Sequence, residues 1–198
     1  YEASQDINSL LGKIISIDKN TKNYEIISYG HRNPQGLHYS IEHNIVMNTE
    51  HGPKGGDEIN FNFLKSNQPP NFGWPISSYG TPYPREAKIF DEKGWLKKSH
   101  KENGFIEPLK HYTPSIGISE LVYLPKKKSP DGHKYLFVSS LRAASIYVIK
   151  LSNDFGKILD EDRIFFLEHR IRDLKYDSDS NVFLILFERT PSIGVLSF

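Results

Sequence analysis

The chain has 198 residues, 37% hydrophobic and 25% charged, the balance of an ordinary soluble globular protein with one substantial core. Its formal net charge of +1 argues against an electrostatic footprint for nucleic acid or for an anionic membrane surface. No stretch approaches the roughly 20 apolar residues of a membrane span, and the absence of cysteine rules out disulfides and thiolate metal sites.

The chain opens on the polar run Tyr1–Asp6, with neither an initiator Met nor a signal peptide, so residues are expected to have been removed upstream. Twelve Phe and 11 Tyr against one Met suit the pleated, half-buried surface of a sheet. Short alternating or apolar runs predict strands over Leu11–Ile17, Tyr24–Tyr29, Asn44–Asn48, Glu58–Leu64, Leu121–Leu124 and Tyr135–Ser139. They continue over Ser145–Leu151, Arg163–Leu167, Asp173–Tyr176, Val182–Phe187 and Ile193–Phe198. Turn chemistry separates them at Asp18–Asn20, Ser129–Gly132, Ser152–Asp154 and Asp177–Ser180. No helix of ordinary length is predicted; Leu96–Asn103 permits a short helical turn.

Three blocks, Gly36–Leu64, Ile118–Leu167 and Ile171–Phe198, each pass from a small loop through a half-buried strand to a very apolar one. A period of about 45 residues with four strands is that of a propeller blade, against the competing two-sheet sandwich. The whole chain, 1–198, is read as one partial β-propeller of about three blades. A long excursion interrupts it at about 65–112, rich in Pro and aromatics at Gln68–Pro75 and Gly80–Pro84. Its mixed-charge part, Arg85–Lys110, reads as a solvated excursion and a candidate lid.

Candidate chemistry clusters at strand ends. Arg32, Asn33 and Gln35 offer convergent donors between two glycines, or simply close a polar turn. The loop Gly52-Pro53 to Gly56 frees its carbonyls for a hard cation such as calcium, and Asp57 and Glu58 are either ligands or solvated turn residues. Arg170 and Arg172, two apart on an extended segment, face the same way and want an anion or salt bridges to Asp173 or Glu168. Arg142 reads as a lone exposed cation. The eight His show no metal spacing, and no serine-nucleophile elbow or dinucleotide fingerprint occurs.

In order, Leu11–Ile14, Gly30–Leu37, Glu50–Pro53, Gly56–Asn60, Asn71–Pro75, Pro114–Ile116, Ser139–Leu141 and Arg170–Asp173 resemble the glucose/sorbosone dehydrogenase family. These are soluble sugar dehydrogenases dependent on pyrroloquinoline quinone (PQQ), built on a six-bladed propeller. The resemblance implies oxidation of an aldose with hydride passing to PQQ, calcium on the cofactor, and an electron acceptor as partner. It implies that Arg32 lies against the reactive quinone carbonyl with Asn33 beside it, and that Gly52 and Pro53 hold calcium through main-chain oxygens. Arg142, Arg170 and Arg172 fall where cofactor carboxylates are met, and Ser115 where a small hydroxyl lines the pocket.

The departures are His51 in place of Gln, Gly117 in place of Ala, and Ile118 in place of Pro. The family's catalytic histidine has no counterpart in this chain. The remaining blades are therefore expected from the same gene product or a partner chain, and a periplasmic or secreted location is implied. The alternative from another class is a non-catalytic propeller that binds a ligand or protein.

Overall fold

The computed structural model describes residues 1–65, 68–166 and 169–197. Among the described residues, thirteen strands form four antiparallel sheets in chain order. The first pairs β1 (Lys13–Ile17) with β2 (Tyr24–Tyr29). The second is a meander of β3 (Pro34–Ser40), β4 (Ile45–Glu50), β5 (Asp57–Phe63) and β6 (Lys110–Tyr112), with helix α1 (Ala87–Lys93) in the excursion between its last two strands. The third runs through β7 (Ile118–Leu124), β8 (Lys134–Ser140), β9 (Ser145–Leu151) and β10 (Ile158–Phe165). The fourth holds β11 (Ile171–Asp177), β12 (Val182–Phe187) and β13 (Ile193–Ser197).

This is the repeat expected from the sequence, and it makes the chain an all-β propeller segment. The first strands of successive sheets pack on one another, β3 on β7 and β7 on β11, as innermost strands around an axis do. Each of the eleven predicted strands overlaps an observed one. Leu167 and Phe198, where two of them end, lie outside the described residues.

Two strands escaped the sequence reading. β3 begins on Pro34 and contains Gly36, both poor strand residues, yet each has a reason to be there. Pro34 takes the first position, and a Cβ on Gly36 would come within 2.7 Å of the Leu121 amide nitrogen. Only glycine lets β3 approach β7 this closely. β6 is three residues long and carries no pattern of its own; it is a strand because β5 pairs with it.

Burial is layered between sheets. Ile45, Met47, Ile59 and Phe61 of the second sheet pack against Ile118, Leu121, Leu136, Val138, Ile149 and Leu151 of the third. The third sheet's other face, with Leu124, Phe137 and Ile146, meets Ile171, Leu174, Phe183 and Ile185 of the fourth. Burial of this kind stabilises by about 25 cal/mol per Å² of apolar surface. The outermost sheets leave apolar side chains uncovered, among them Leu11 and Ile17 on one flank and Ile193 and Val195 on the other.

The charged stretch Arg85–Lys110 is largely exposed, as expected, but buried side chains anchor it. Phe90 of α1 is buried among Tyr1, Trp74 and Trp95, and His100 is 2% exposed. The short helical turn expected within Leu96–Asn103 occurs at Lys101–Asn103. Among the described residues, no helix is long and apolar enough to cross a membrane.

Candidate functional site

Antiparallel order places the sequence-selected residues at one end of the sheets. Arg32 and Asn33 immediately precede β3, Ser115 lies just before β7, and Arg170 immediately precedes β11. The β4–β5 loop carries Gly52 and Pro53, and the β8–β9 loop carries Arg142. Equivalent ends of three successive inner strands thus present them together.

Hydrogen bonds join most of these residues into one arc. The Arg32 guanidinium donates to the His51 carbonyl at 3.1 Å and stands 5.3 Å from the Trp74 ring centroid. The His51 amide donates back to the Asn33 carbonyl at 3.1 Å, so the two loops are laced together. Asn33 itself is exposed, its side-chain oxygen accepting from Gln35. Arg32 and Asn33 line a cleft of ≈ 350 Å³ with Ser4, Gly12 and Trp74.

The hub of the arc is Asp57, only 1% exposed. One carboxylate oxygen accepts from the Ser115 hydroxyl at 2.7 Å and the Ile118 amide at 3.0 Å. The other accepts from the Gly52 amide at 3.3 Å and lies 3.7 Å from His51 Nδ1. Burial pushes the Asp57 pKa up, but the bonds from His51, Ile118 and Ser115 outweigh it and hold the group below its ordinary value. Arg142 closes the arc by donating to the Ser115 carbonyl at 3.4 Å.

The calcium-type loop is rigidly held. A Cβ on Gly52 would meet the Gly55 carbonyl at 2.1 Å and that of Gly56 at 2.3 Å, so no larger residue fits. Lys54 exchanges backbone bonds with Thr81 at 3.0 Å, and the Tyr83 hydroxyl donates to the Pro53 carbonyl at 3.2 Å. That carbonyl keeps a second lone pair for a cation. Both oxygens of Asp57 accept hydrogen bonds from the protein, which fixes the carboxylate behind this loop. Among the described residues, no group of three or more His, Asp or Glu is placed to hold a metal.

Arg170 and Arg172 converge, but on Glu188 at the end of β12, whose carboxylate takes one guanidinium on each oxygen. Asp173 is not the partner, and Glu168 lies outside the described residues. The fork thus holds a carboxylate supplied from within the chain. The Ile171 carbonyl between the two arginines accepts from Ser119 on β7 at 2.7 Å, which ties the pair to the same end as the arc.

Sequence reasoning missed the layer beneath. Glu50 and Glu58 sit directly opposite one another across β4 and β5. Both are buried, and the solvated-turn reading of Asp57 and Glu58 fails. Each glutamate has its own histidine: His31 Nδ1 lies 3.1 Å from Glu50, and His100 Nε2 lies 3.1 Å from Glu58. The Asn60 amide nitrogen reaches both carboxylates, at 3.4 and 3.3 Å. Phe72 links the two dyads, its ring stacked 4.6 Å from His31 and its carbonyl accepting from His100 Nδ1 at 2.9 Å. Burial and the facing Glu50 raise the Glu58 pKa; His100, despite its own burial, is raised by Glu58 and the Phe72 carbonyl. A larger cleft, ≈ 1240 Å³, lies at the opposite end around Phe61, Pro70 and Phe155, away from this polar arc.

A propeller with a polar, arginine-bearing end is the class that fold and site define. The glucose / sorbosone dehydrogenase family matches residues 1–193, and the chain belongs to that family. It is 29% identical to the aldose sugar dehydrogenase YliI of Escherichia coli over 96% of this chain and 52% of that protein. It is 25% identical to quinoprotein glucose dehydrogenase B of Acinetobacter calcoaceticus over 96% of this chain and 50% of that one. Among solved structures, a glucose dehydrogenase superposes with a TM-score of 0.78 at 26% identity, covering 98% of this chain and 57% of its own. The chain thus spans about half the length of these relatives.

Proposed function

We propose that this chain forms the cofactor-binding part of a PQQ-dependent aldose dehydrogenase, oxidising a sugar at its anomeric carbon. The observation that carries the reading is the continuous arc Arg32–His51–Asp57–Ser115–Arg142, set at the same end as the Arg170–Arg172 fork. PQQ, when bound, supplies a two-electron acceptor that the side chains of this protein lack. Arg170 and Arg172 bind its carboxylates by charge-assisted hydrogen bonds. Gly52 and Pro53 offer main-chain oxygens to calcium, in a loop whose position Asp57 fixes. Arg32, braced by Trp74 and the His51 carbonyl, keeps a cation where negative charge grows as the sugar is oxidised.

The base that takes the sugar's hydroxyl proton comes, in this reading, from blades outside the chain. The uncovered apolar side chains of the first and fourth sheets support further sheets packing there, since apolar surface is stabilised by removal from water. We place the protein in the periplasm or outside the cell on the same kinship.

The second reading, a non-catalytic propeller, draws on Glu188, which already satisfies both arginines from within the chain. Dye-linked oxidation of aldoses by the ring-complete protein, with PQQ and calcium, separates the two. Turnover that is lost on calcium chelation supports the dehydrogenase; PQQ that stays bound with calcium stripped would overturn the role of Gly52 and Pro53.

A further inference from the structure

At the end of the sheets opposite Arg32 lies a second polar concavity. It is a cleft of ≈ 320 Å³, lined by Glu42, His43, Tyr123, Lys126, Lys127 and Lys134 together with Pro125 and Asn153. The β3–β4 turn supplies Glu42 and His43, and the β7–β8 connection supplies Lys126 and Lys127. Seven residues of β7 separate this cleft from the arc, about 20 Å at 3.3 Å per residue. It belongs to neither the arc nor the arginine fork.

Of two buried polar groups in it, one has no partner in the protein and the other only part of its donors used. Tyr123 is 6% exposed, and its hydroxyl is buried with no hydrogen-bond partner among the described residues. Its neighbours are rings, those of His38, His43 and Phe155. Lys134 is also 6% exposed. Its ammonium donates to the Asn153 carbonyl at 2.7 Å and stands 3.7 Å from the Phe155 ring centroid. No described carboxylate forms an ion pair with it. A buried ammonium held by one carbonyl and one ring has donors to spare, and burying a charge without a counter-charge is costly.

The surrounding charges add to this. Lys126 and Lys127 stand at the rim on a helical turn and make no ion pair with a described residue. The carboxylates nearby are Glu42 and Asp154. Glu42 is exposed and approaches His43 only to 3.7 Å. Asp154 is taken up in its own turn by the Ser152 hydroxyl and the Gly156 amide. His43 is held below its usual pKa, by burial and then by Lys134, so it is a neutral ring in this cleft near pH 7. Tyr123 stays a neutral hydroxyl, its pKa pushed up to about 12 by burial and by Glu42. It can donate.

We infer that this cleft is a binding site for a small multivalent oxyanion of the phosphate or polycarboxylate type. Lys134 and the Tyr123 hydroxyl form its floor, and Lys126 and Lys127 its rim. The ligand takes the hydrogen bond the Tyr123 hydroxyl lacks and supplies the counter-charge Lys134 lacks. Glu42 opposes it by repulsion.

The test is calorimetric titration of the protein with inorganic phosphate and, separately, with citrate, at pH 7 and low ionic strength, chloride serving as the matched control. Saturable binding of either probe, with no response to chloride, is expected, and the two arms tell a phosphate site from a carboxylate site. Tyr123→Phe removes one donor from a charge-assisted bond and should weaken binding about tenfold with the melting temperature unchanged. Lys127→Ala should weaken it severalfold, and Glu42→Gln should tighten it severalfold. Neither probe binding would overturn the site. So would binding that Tyr123→Phe and Lys127→Ala leave unchanged, since that is diffuse screening by surface lysines.

Discussion

The two faces of the second sheet come from alternate residues of the same two strands. Toward the third sheet β4 and β5 turn Ile45, Met47, Ile59 and Phe61; toward the first sheet and the excursion they turn Asn48, Glu50, Glu58, Asn60 and Asn62. Both faces are buried. On the apolar face stability follows from area removed from water. The polar face runs the other way, because two facing carboxylates taken out of water are tolerable only when each finds a partner. His31 and His100 are those partners, and both bear on Phe72, two residues from the Trp74 that braces Arg32. One face holds the sheet together and the other positions the site.

Breaking a partner on the polar face should have the largest effect. His100→Ala leaves Glu58 buried and unpaired and should cost about 3–5 kcal/mol in chemical denaturation. It should also weaken PQQ binding, through the shift of Phe72 and Trp74. Truncation on the apolar face, Met47→Ala, should cost about 2–5 kcal/mol by cavity formation and leave PQQ affinity unchanged once the protein is folded. If both variants lost cofactor equally, the division of labour between the faces would be wrong.

A smaller effect sharpens the same point. The double variant Glu58→Leu with His100→Leu removes both charges at once. It should cost less than His100→Ala alone, within about 1–2 kcal/mol of the parent, because a buried ion pair is often replaceable by apolar side chains. Equal or greater loss would mean that the pair stabilises the fold outright.

The pH dependence should be smaller still. His100 and Glu58 are both shifted toward holding a proton more tightly in the fold than in the unfolded chain. For His100 the associated stability is complete below the ordinary imidazole value of 6.5 and is lost as pH rises through its higher folded value. Glu58 acts with the same sign from 4.5 upward. Glu50 faces the pair, and Glu107 adds to the field on His100. Melting temperature should therefore fall from pH 6 to pH 8, and the slope should flatten in the double Leu variant. Asp57 has the opposite sign: its stabilisation is present above pH 3.8 and is lost in acid.

The polar face also marks what the sequence could not disclose. Period-two alternation in Glu58-Ile59-Asn60-Phe61-Asn62 is legible, but it reads as one wet face and one dry one. Only a neighbouring sheet and a distant histidine make the polar face dry. Strands with aromatic or β-branched runs, such as Ser145–Leu151, were legible to the residue. β3 was not, because Pro34 and Gly36 answer to the crowding of inner strands rather than to local propensity. The motif residues were legible as a set. Their hub was not, since Asp57 acquires its role from Ser115 and Ile118, about sixty positions away. Likewise Glu188 as the partner of Arg170 and Arg172 depends on how β11 and β12 pair.

The central claim is that Arg32 meets charge arising during the reaction while Arg170 and Arg172 grip the cofactor, and kcat against PQQ concentration in the ring-complete protein tests it directly. Arg170→Ala or Arg172→Ala should weaken PQQ binding by about 1.5–3 kcal/mol, with the rate largely restored by excess cofactor. Arg32→Ala should lower kcat about 10²–10³-fold even at saturating PQQ. Rescue of Arg32→Ala by cofactor as complete as that of Arg170→Ala would contradict the account, making Arg32 one more binding residue.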